Sequence, residues 1–174
     1  MGKIIAIVGM CGSGKSVACD YLENLGYKKV YFGGVTMDKL KEIGLEITPD
    51  NEKMMREKLR QDLGMGAYAK VLLPKIKELS INNNVVLDGL YSWDELVILN
   101  NEFKMTTIAV VEDKKLRYER LEKRVVRPFS KSDAIKRDIS EIENIAKAGP
   151  IAYADYYIFN NLSLIHISEP TRRS

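Results

Sequence analysis

The sequence predicts an α/β fold, a parallel sheet layered between helices, on three observations. Short, continuously apolar runs alternate with amphipathic stretches, as in successive βαβ units. The first run, KIIAIV at residues 3–8, has no polar face, which places it at the centre of a sheet covered on both sides. It leads directly into the glycine-rich stretch GMCGSGKS at residues 9–16. The chain has 174 residues, 45% hydrophobic and 29% charged, enough for one globular domain and too few for two of ordinary size.

The helix after the first strand is expected to bury Ala18, Tyr21, Leu22 and Leu25, spaced i, i+3, i+4, i+7, and to stop at Gly26. A second strand follows at residues 30–32. No strand pattern occurs between residues 37 and 79. Thr48 and Asp50 around Pro49 signal a helix start, and Met55, Leu59 and Leu63 form one apolar stripe. Tyr68, Val71, Leu72, Ile76 and Leu79 form another, which Pro74 is expected to kink or restart. A helical insertion at about residues 36–80 thus exceeds what a plain crossover requires. The third strand is placed at residues 85–87, and Ser92 with Glu95 makes a capping box for the next helix. The fourth strand is placed at residues 106–111, with Asp113 capping a helix to about residue 125. Another helix runs from Ser132 to about residue 147, and a fifth strand spans residues 156–159.

Composition narrows the function classes. A net charge of +3 and a pI near 8.7 are too mild to make nucleic acid the principal partner. No apolar run approaches the roughly 20 residues of a spanning helix, so no membrane partner is expected. Two cysteines, Cys11 and Cys19, supply neither a metal-ligand pattern nor a disulfide framework, which suits a reducing cytoplasm.

The stretch from Gly9 to Ser16 matches G-x-x-x-x-G-K-S in full, between an expected strand and an expected helix. Its glycines let successive N–H groups turn inward around a phosphate, and the helix N-terminus adds positive potential. Gly9, Met10, Cys11, Gly12, Ser13, Gly14, Lys15, Ser16 and Val17 are therefore the expected nucleotide-binding residues, with ATP and Mg²⁺ as cofactors. Lys15 would reach the β and γ phosphates and the Ser16 hydroxyl would ligate Mg²⁺. Cys11 and Cys19 read as small apolar fillers. Asp88 ends the third strand, where an acidic residue holds Mg²⁺ in P-loop kinases. Asp88-Gly89 is also a hairpin turn signal, but no partner strand follows at hairpin distance.

Residues 113–137 contain ten Lys or Arg and four Asp or Glu, a local net of +6 that the mild total conceals. Arg120 and Arg124 lack a carboxylate at helical spacing and share an expected face with Arg117, which can pair with Asp113. Unpaired arginines there, running into Arg127-Pro128, suit a lid over polyphosphate at about residues 120–137, with Arg120 and Arg124 catalytic and nucleotide-contacting. Arg137 is flanked by Asp133 and Glu141, Arg56 by Glu52 and Arg60 by Glu57, so surface pairing is expected for these three.

With these residues in view, the chain resembles P-loop nucleotide kinases of the adenylate kinase and dephospho-CoA kinase group, and adenylate-kinase-related proteins of archaea and bacteria. The resemblance rests on GMCGSGKS, GLEITPDNE, GMGAYAKVLLPKI, DGLYSWDE, RYERLEKR and ADYYIFNN, over about residues 3–160. It implies a three-layer αβα P-loop NTPase fold, a five-stranded parallel sheet in order 2-3-1-4-5, an acceptor-binding insertion after strand two and a lid after strand four. RLEKR is similar to a lid entry that carries nucleotide-contacting arginines, again Arg120 and Arg124. Adenylate kinases place an arginine after the Asp-Gly-Phe-Pro that ends strand three, whereas Asp88-Gly89 leads here to Leu90-Tyr91. AMP is therefore not the expected acceptor.

The expected activity is transfer of the γ-phosphoryl of Mg-ATP to a small nucleotide or nucleotide-like acceptor by a monomer or small homo-oligomer. An NTP-dependent switch or slow NTPase acting on a protein or RNA is the alternative. Residues 162–172, LSLIHISEPTR, resemble the in-frame translation of a transposase adapter used in sequencing libraries. The native domain is accordingly expected over residues 1–161, with 162–174 standing in place of the natural C-terminus, and His166 receives no role.

Overall fold

The computed structural model of the chain describes residues 1–126 and 128–161. Arg127, His166 and the whole 162–174 segment, with the expectations placed on them, lie outside the described residues. Five strands, β1 (Ile4–Val8), β2 (Lys28–Tyr31), β3 (Val85–Asp88), β4 (Met105–Val111) and β5 (Tyr156–Phe159), form one sheet in the order β2-β3-β1-β4-β5. Every pairing is parallel. β1 is central, as its continuously apolar sequence requires, with Ile7 opposite Asp88 on β3 and Val8 opposite Ala109 on β4.

Eight helices cover the sheet among the described residues: α1 (Lys15–Asn24), α2 (Gly34–Glu42), α3 (Pro49–Leu63), α4 (Ala67–Asn82), α5 (Trp93–Glu102), α6 (Lys114–Glu122), α7 (Lys131–Ile145) and α8 (Ala148–Ala152). Alternate residues of the strands feed two cores. Ala6, Val8, Val85, Leu87 and Ala109 join Leu40, Met55, Tyr68, Ile76 and Leu99 from the insertion side. Ile7, Val86 and Val110 pack with Cys19 under α1. No helix among the described residues is long and apolar enough to cross a membrane.

Several expectations shift. The α1 stripe centres on Cys19, Ala18 and Leu22, whereas Tyr21 and Leu25 stay 64% and 60% exposed. Tyr156 and Ile158 on β5 are exposed as well. Pro74 lies inside α4 and neither ends nor restarts it. The insertion begins with α2, which the pattern did not reveal. Its Gly-Val-Thr start has weak helical propensity, and burial of Val35, Thr36 and Leu40 holds it instead. Asp113 occupies the N-cap of α6 without a side-chain cap bond, and Ser130 rather than Ser132 caps α7 by accepting from Asp133 N–H. α6 ends at Glu122, three residues early, so Arg124 lies past its C-cap Lys123 and shares no helical face with Arg117 and Arg120.

Candidate active site

The loop between β1 and α1 has the backbone its glycines foretell. Gly9, Gly12 and Gly14 adopt φ of 153°, 83° and 97°, values that side chains with a Cβ rarely tolerate. Space enforces the same choice: a Cβ on Gly9 would stand 2.4 Å from the Val110 carbonyl oxygen. The Ser13 hydroxyl is buried with no partner inside the loop. Lys15 Nζ donates to the Met10 carbonyl at 3.0 Å, curling back over the loop. Burial, and then the positive charge of Lys147, lower its pKa to about 8, while Cys11, Glu141 and Asp88 partly counter them. An anion in the loop would relieve both costs.

Two clamps hold the loop, and sequence reasoning assigned neither. Asn160, just past β5, donates to the Ser13 carbonyl at 3.0 Å. Arg117 donates to the Cys11 carbonyl at 2.9 Å and grips Asp138 of α7 through two bonds, at 3.1 and 2.5 Å. Tyr118 adds its hydroxyl to Asp138 at 3.0 Å. The expected Asp113–Arg117 pair does not form, because the guanidinium turns inward to a buried carboxylate 21 residues away in sequence. Cys11 packs on Tyr118, Leu121 and Ala134, which agrees with its reading as an apolar filler.

Asp88 leaves the sheet beside β1, half-buried, its carboxyl raised by burial against the opposing charges of Lys29 and Lys15. Cys19 sits next to it, its thiol pushed up to about 12 by burial and by that carboxylate. Among the described residues no cluster of three His, Cys, Asp or Glu side chains could hold a metal. One hydroxyl, Ser16, and one carboxylate, Asp88, fit a cation that keeps waters and phosphate oxygens as its other ligands, as Mg²⁺ does. The unpartnered Ser13 hydroxyl and the partly desolvated Lys15 fit a phosphate in the loop.

Arg120 is close to the loop, its Nη1 3.7 Å from where a Gly14 Cβ would stand, and it pairs with the buried Glu112 at 2.8 Å. Val17 and Arg124 are exposed, so neither is yet enclosed by the site. Arg56 pairs with Glu52 at 3.6 Å as expected. Arg60 does not go to Glu57: it lies over the Tyr68 ring at 5.5 Å, and burial raises nearby Glu95 to about 7.

A further cationic cluster lies close enough to Lys15 for its charge to be felt there. Lys147, 3% exposed, bonds Glu141 at 2.6 Å and lies 5.5 Å from the Tyr91 ring centre. Arg137 reaches the other Glu141 oxygen at 3.0 Å, as sequence spacing suggested. Burial alone would raise the Glu141 carboxyl, but Lys147 and then Arg137 outweigh it and hold it below the usual range. Lys147 follows a helix in a bland Ala-Lys-Ala context, and no local signal marked it.

The AAA domain family pattern matches residues 5–143. A UPF0200 protein from Thermococcus onnurineus is 36% identical over 164 residues, spanning 91% of this chain and 88% of its own. The chain belongs to the UPF0200 family and carries an AAA domain. Solved structures share the fold of this chain. A Thermus thermophilus protein superposes with a TM-score of 0.63 at 18% identity, covering 94% of this chain and 91% of its own. Shikimate kinase from Bacteroides thetaiotaomicron does so at 0.56 and 13% identity, covering 90% and 86%. The five-stranded 2-3-1-4-5 sheet is thus that of the P-loop kinases.

Proposed function

We propose that the protein is a phosphotransferase that moves the γ-phosphoryl of Mg-ATP to a small acceptor, nucleotide or nucleotide-like. The observation that carries this reading is the partly desolvated Lys15 in a clamped phosphate loop, with Asp88 on the adjacent strand and Arg120 at the loop's rim. Bound Mg²⁺ would supply charge neutralisation on the phosphates, with Ser16 and Asp88 holding it. The chain's own groups position and stabilise. Lys15 bridges the β and γ phosphates, and the Arg117 and Asn160 clamps fix the loop's N–H groups. Arg120, steadied by Glu112, closes on the nucleotide, and Arg124 joins it when the lid does. As an acceptor oxygen bonds to the γ phosphorus, the bond to the bridging oxygen breaks and ADP leaves with that electron pair. A phosphate acceptor needs no base; a hydroxyl acceptor would give its proton to Asp88.

An NTP-dependent switch is the second reading. It draws on the exposed stripe of Ile135, Ile139 and Ile142 on α7, a face suited to a macromolecular partner. The test is transfer of label from γ-labelled ATP to a panel of nucleoside monophosphates, dephospho-CoA and related hydroxyl compounds. A labelled small product supports the phosphotransferase. Tight Mg-ATP binding with no transfer to any of them supports the switch.

A further inference from the structure

We propose, resting on the phosphotransferase reading, that Lys147 and Arg137 around Glu141 form an oxyanion site that faces Lys15 and holds the phosphoryl group in transfer. The helix α7 is tied to the phosphate loop through Arg117 of α6: Asp138 grips Arg117, and Arg117 donates to the Cys11 carbonyl at 2.9 Å. That docking sets the adjacent residue Arg137, and Glu141 one turn on, beside the loop. Glu141 then orients two cations at once, Arg137 Nε at 3.0 Å and Lys147 Nζ at 2.6 Å. Tyr91 closes the far side, its ring 5.5 Å from the Lys147 ammonium. Its hydroxyl stands 3.0 Å from the space a Cβ would take on Gly89, the residue after Asp88. Lys147 is therefore bracketed between the Tyr91 ring and Glu141 of α7.

Charge balance identifies the ligand class. Lys15, Arg137 and Lys147 bring three positive charges, and Glu141 offsets one. The negative charge of Asp88 would be offset by the metal it helps to hold. Lys147 is buried and already pairs with Glu141, so a further acceptor for its ammonium would be a group held inside the site rather than bulk water. Only one of its three ammonium protons is committed to Glu141. The nonbridging oxygens of a transferring phosphoryl group supply negative charge where these donors converge, and their charge is shared most widely in the transition state. Lys147 is thus assigned as a catalytic residue and Glu141 as the residue that positions it.

Fluoroberyllate, which mimics a phosphoryl group beside ADP, tests the assignment. The dissociation constant of Mg-ADP is measured with and without it, for the whole chain and for Lys147→Gln, Lys147→Arg and Arg137→Gln. Fluoroberyllate is expected to tighten Mg-ADP at least tenfold in the unmodified protein. Lys147→Gln is expected to abolish most of that tightening, Lys147→Arg to retain it, and Arg137→Gln, at the more exposed rim, to reduce it several-fold. A purely structural role would weaken Mg-ADP equally in both conditions and leave the ratio intact, which overturns the assignment. So does an unmodified protein that binds Mg-ADP but shows no tightening. If Lys147→Gln has no cooperative melt, an unchanged ratio in Arg137→Gln overturns it alone. A protein that binds no Mg-ADP at all defeats the phosphotransferase reading instead.

Discussion

Replacing Arg117 by Met should be among the most damaging single changes outside the apolar core. The guanidinium holds Asp138 at 2.5 and 3.1 Å and the Cys11 carbonyl at 2.9 Å, and the two side chains are only 7% and 10% exposed. Its loss strands a desolvated carboxylate with the Tyr118 hydroxyl as its remaining hydrogen-bond donor among the described side chains. Breaking a buried pair from one side costs about 3–5 kcal/mol, whereas removing both charges in favour of apolar groups returns much of it. Arg117→Met and Asp138→Leu should each fall by that amount, and the double variant should be more stable than either. At about 2–4 °C per kcal/mol for a domain of this size, each single variant should melt roughly 10 °C lower. The assay is urea and thermal denaturation of all four proteins. The double variant still lacks the tie to Cys11, so its ATP affinity should stay several-fold weak after its stability recovers. A single variant that loses less than about 1 kcal/mol, or losses that simply add, would refute the buried-strut reasoning.

Glu95 predicts a pH signature. Its ordinary carboxylate range lies near 4.5 and burial lifts it to about 7, so stability is full below about 4.5 and declines as pH rises to about 7. That interval corresponds to about 3 kcal/mol. Glu95→Gln keeps a side chain able to cap the Tyr91 and Ser92 N–H groups. It should be as stable as the unmodified protein at pH 4.5 and clearly more stable at pH 8, as read by urea midpoints; parallel profiles would count against it. Gly9→Ala should lose at least about 1–3 kcal/mol to backbone strain, with its Cβ forced to within 2.4 Å of the Val110 carbonyl oxygen. Nucleotide binding should go with it, and unchanged melting with intact ATP affinity would show that the loop tolerates a side chain there.

The parts of this molecule legible in sequence were those written in contiguous residues. An unbroken apolar run gave β1, the glycine spacing gave the phosphate loop, and Ser92 with Glu95 gave a capping box whose two reciprocal bonds both form. Contacts distant in sequence were not legible. Helical spacing offered Asp113 to Arg117, but a carboxylate 21 residues on won because both groups are buried together. Helical spacing likewise offers Glu57 to Arg60, which instead lies over the Tyr68 ring. Lys147 and Asn160 join the site only because the sheet order brings α8 and the end of β5 round to the loop. The end of α6 is hidden in the sequence because basic residues 123–124 continue a helical composition after the helix itself has ended.

The most direct test of the central claim is the rate of ADP formation from Mg-ATP, measured with and without each member of the acceptor panel, for the unmodified protein and Lys15→Ala. The account predicts slow turnover by ATP alone, acceleration by at least tenfold with one acceptor class, and loss of that acceleration in Lys15→Ala. Turnover indifferent to every acceptor, or an acceleration that survives Lys15→Ala, would contradict it.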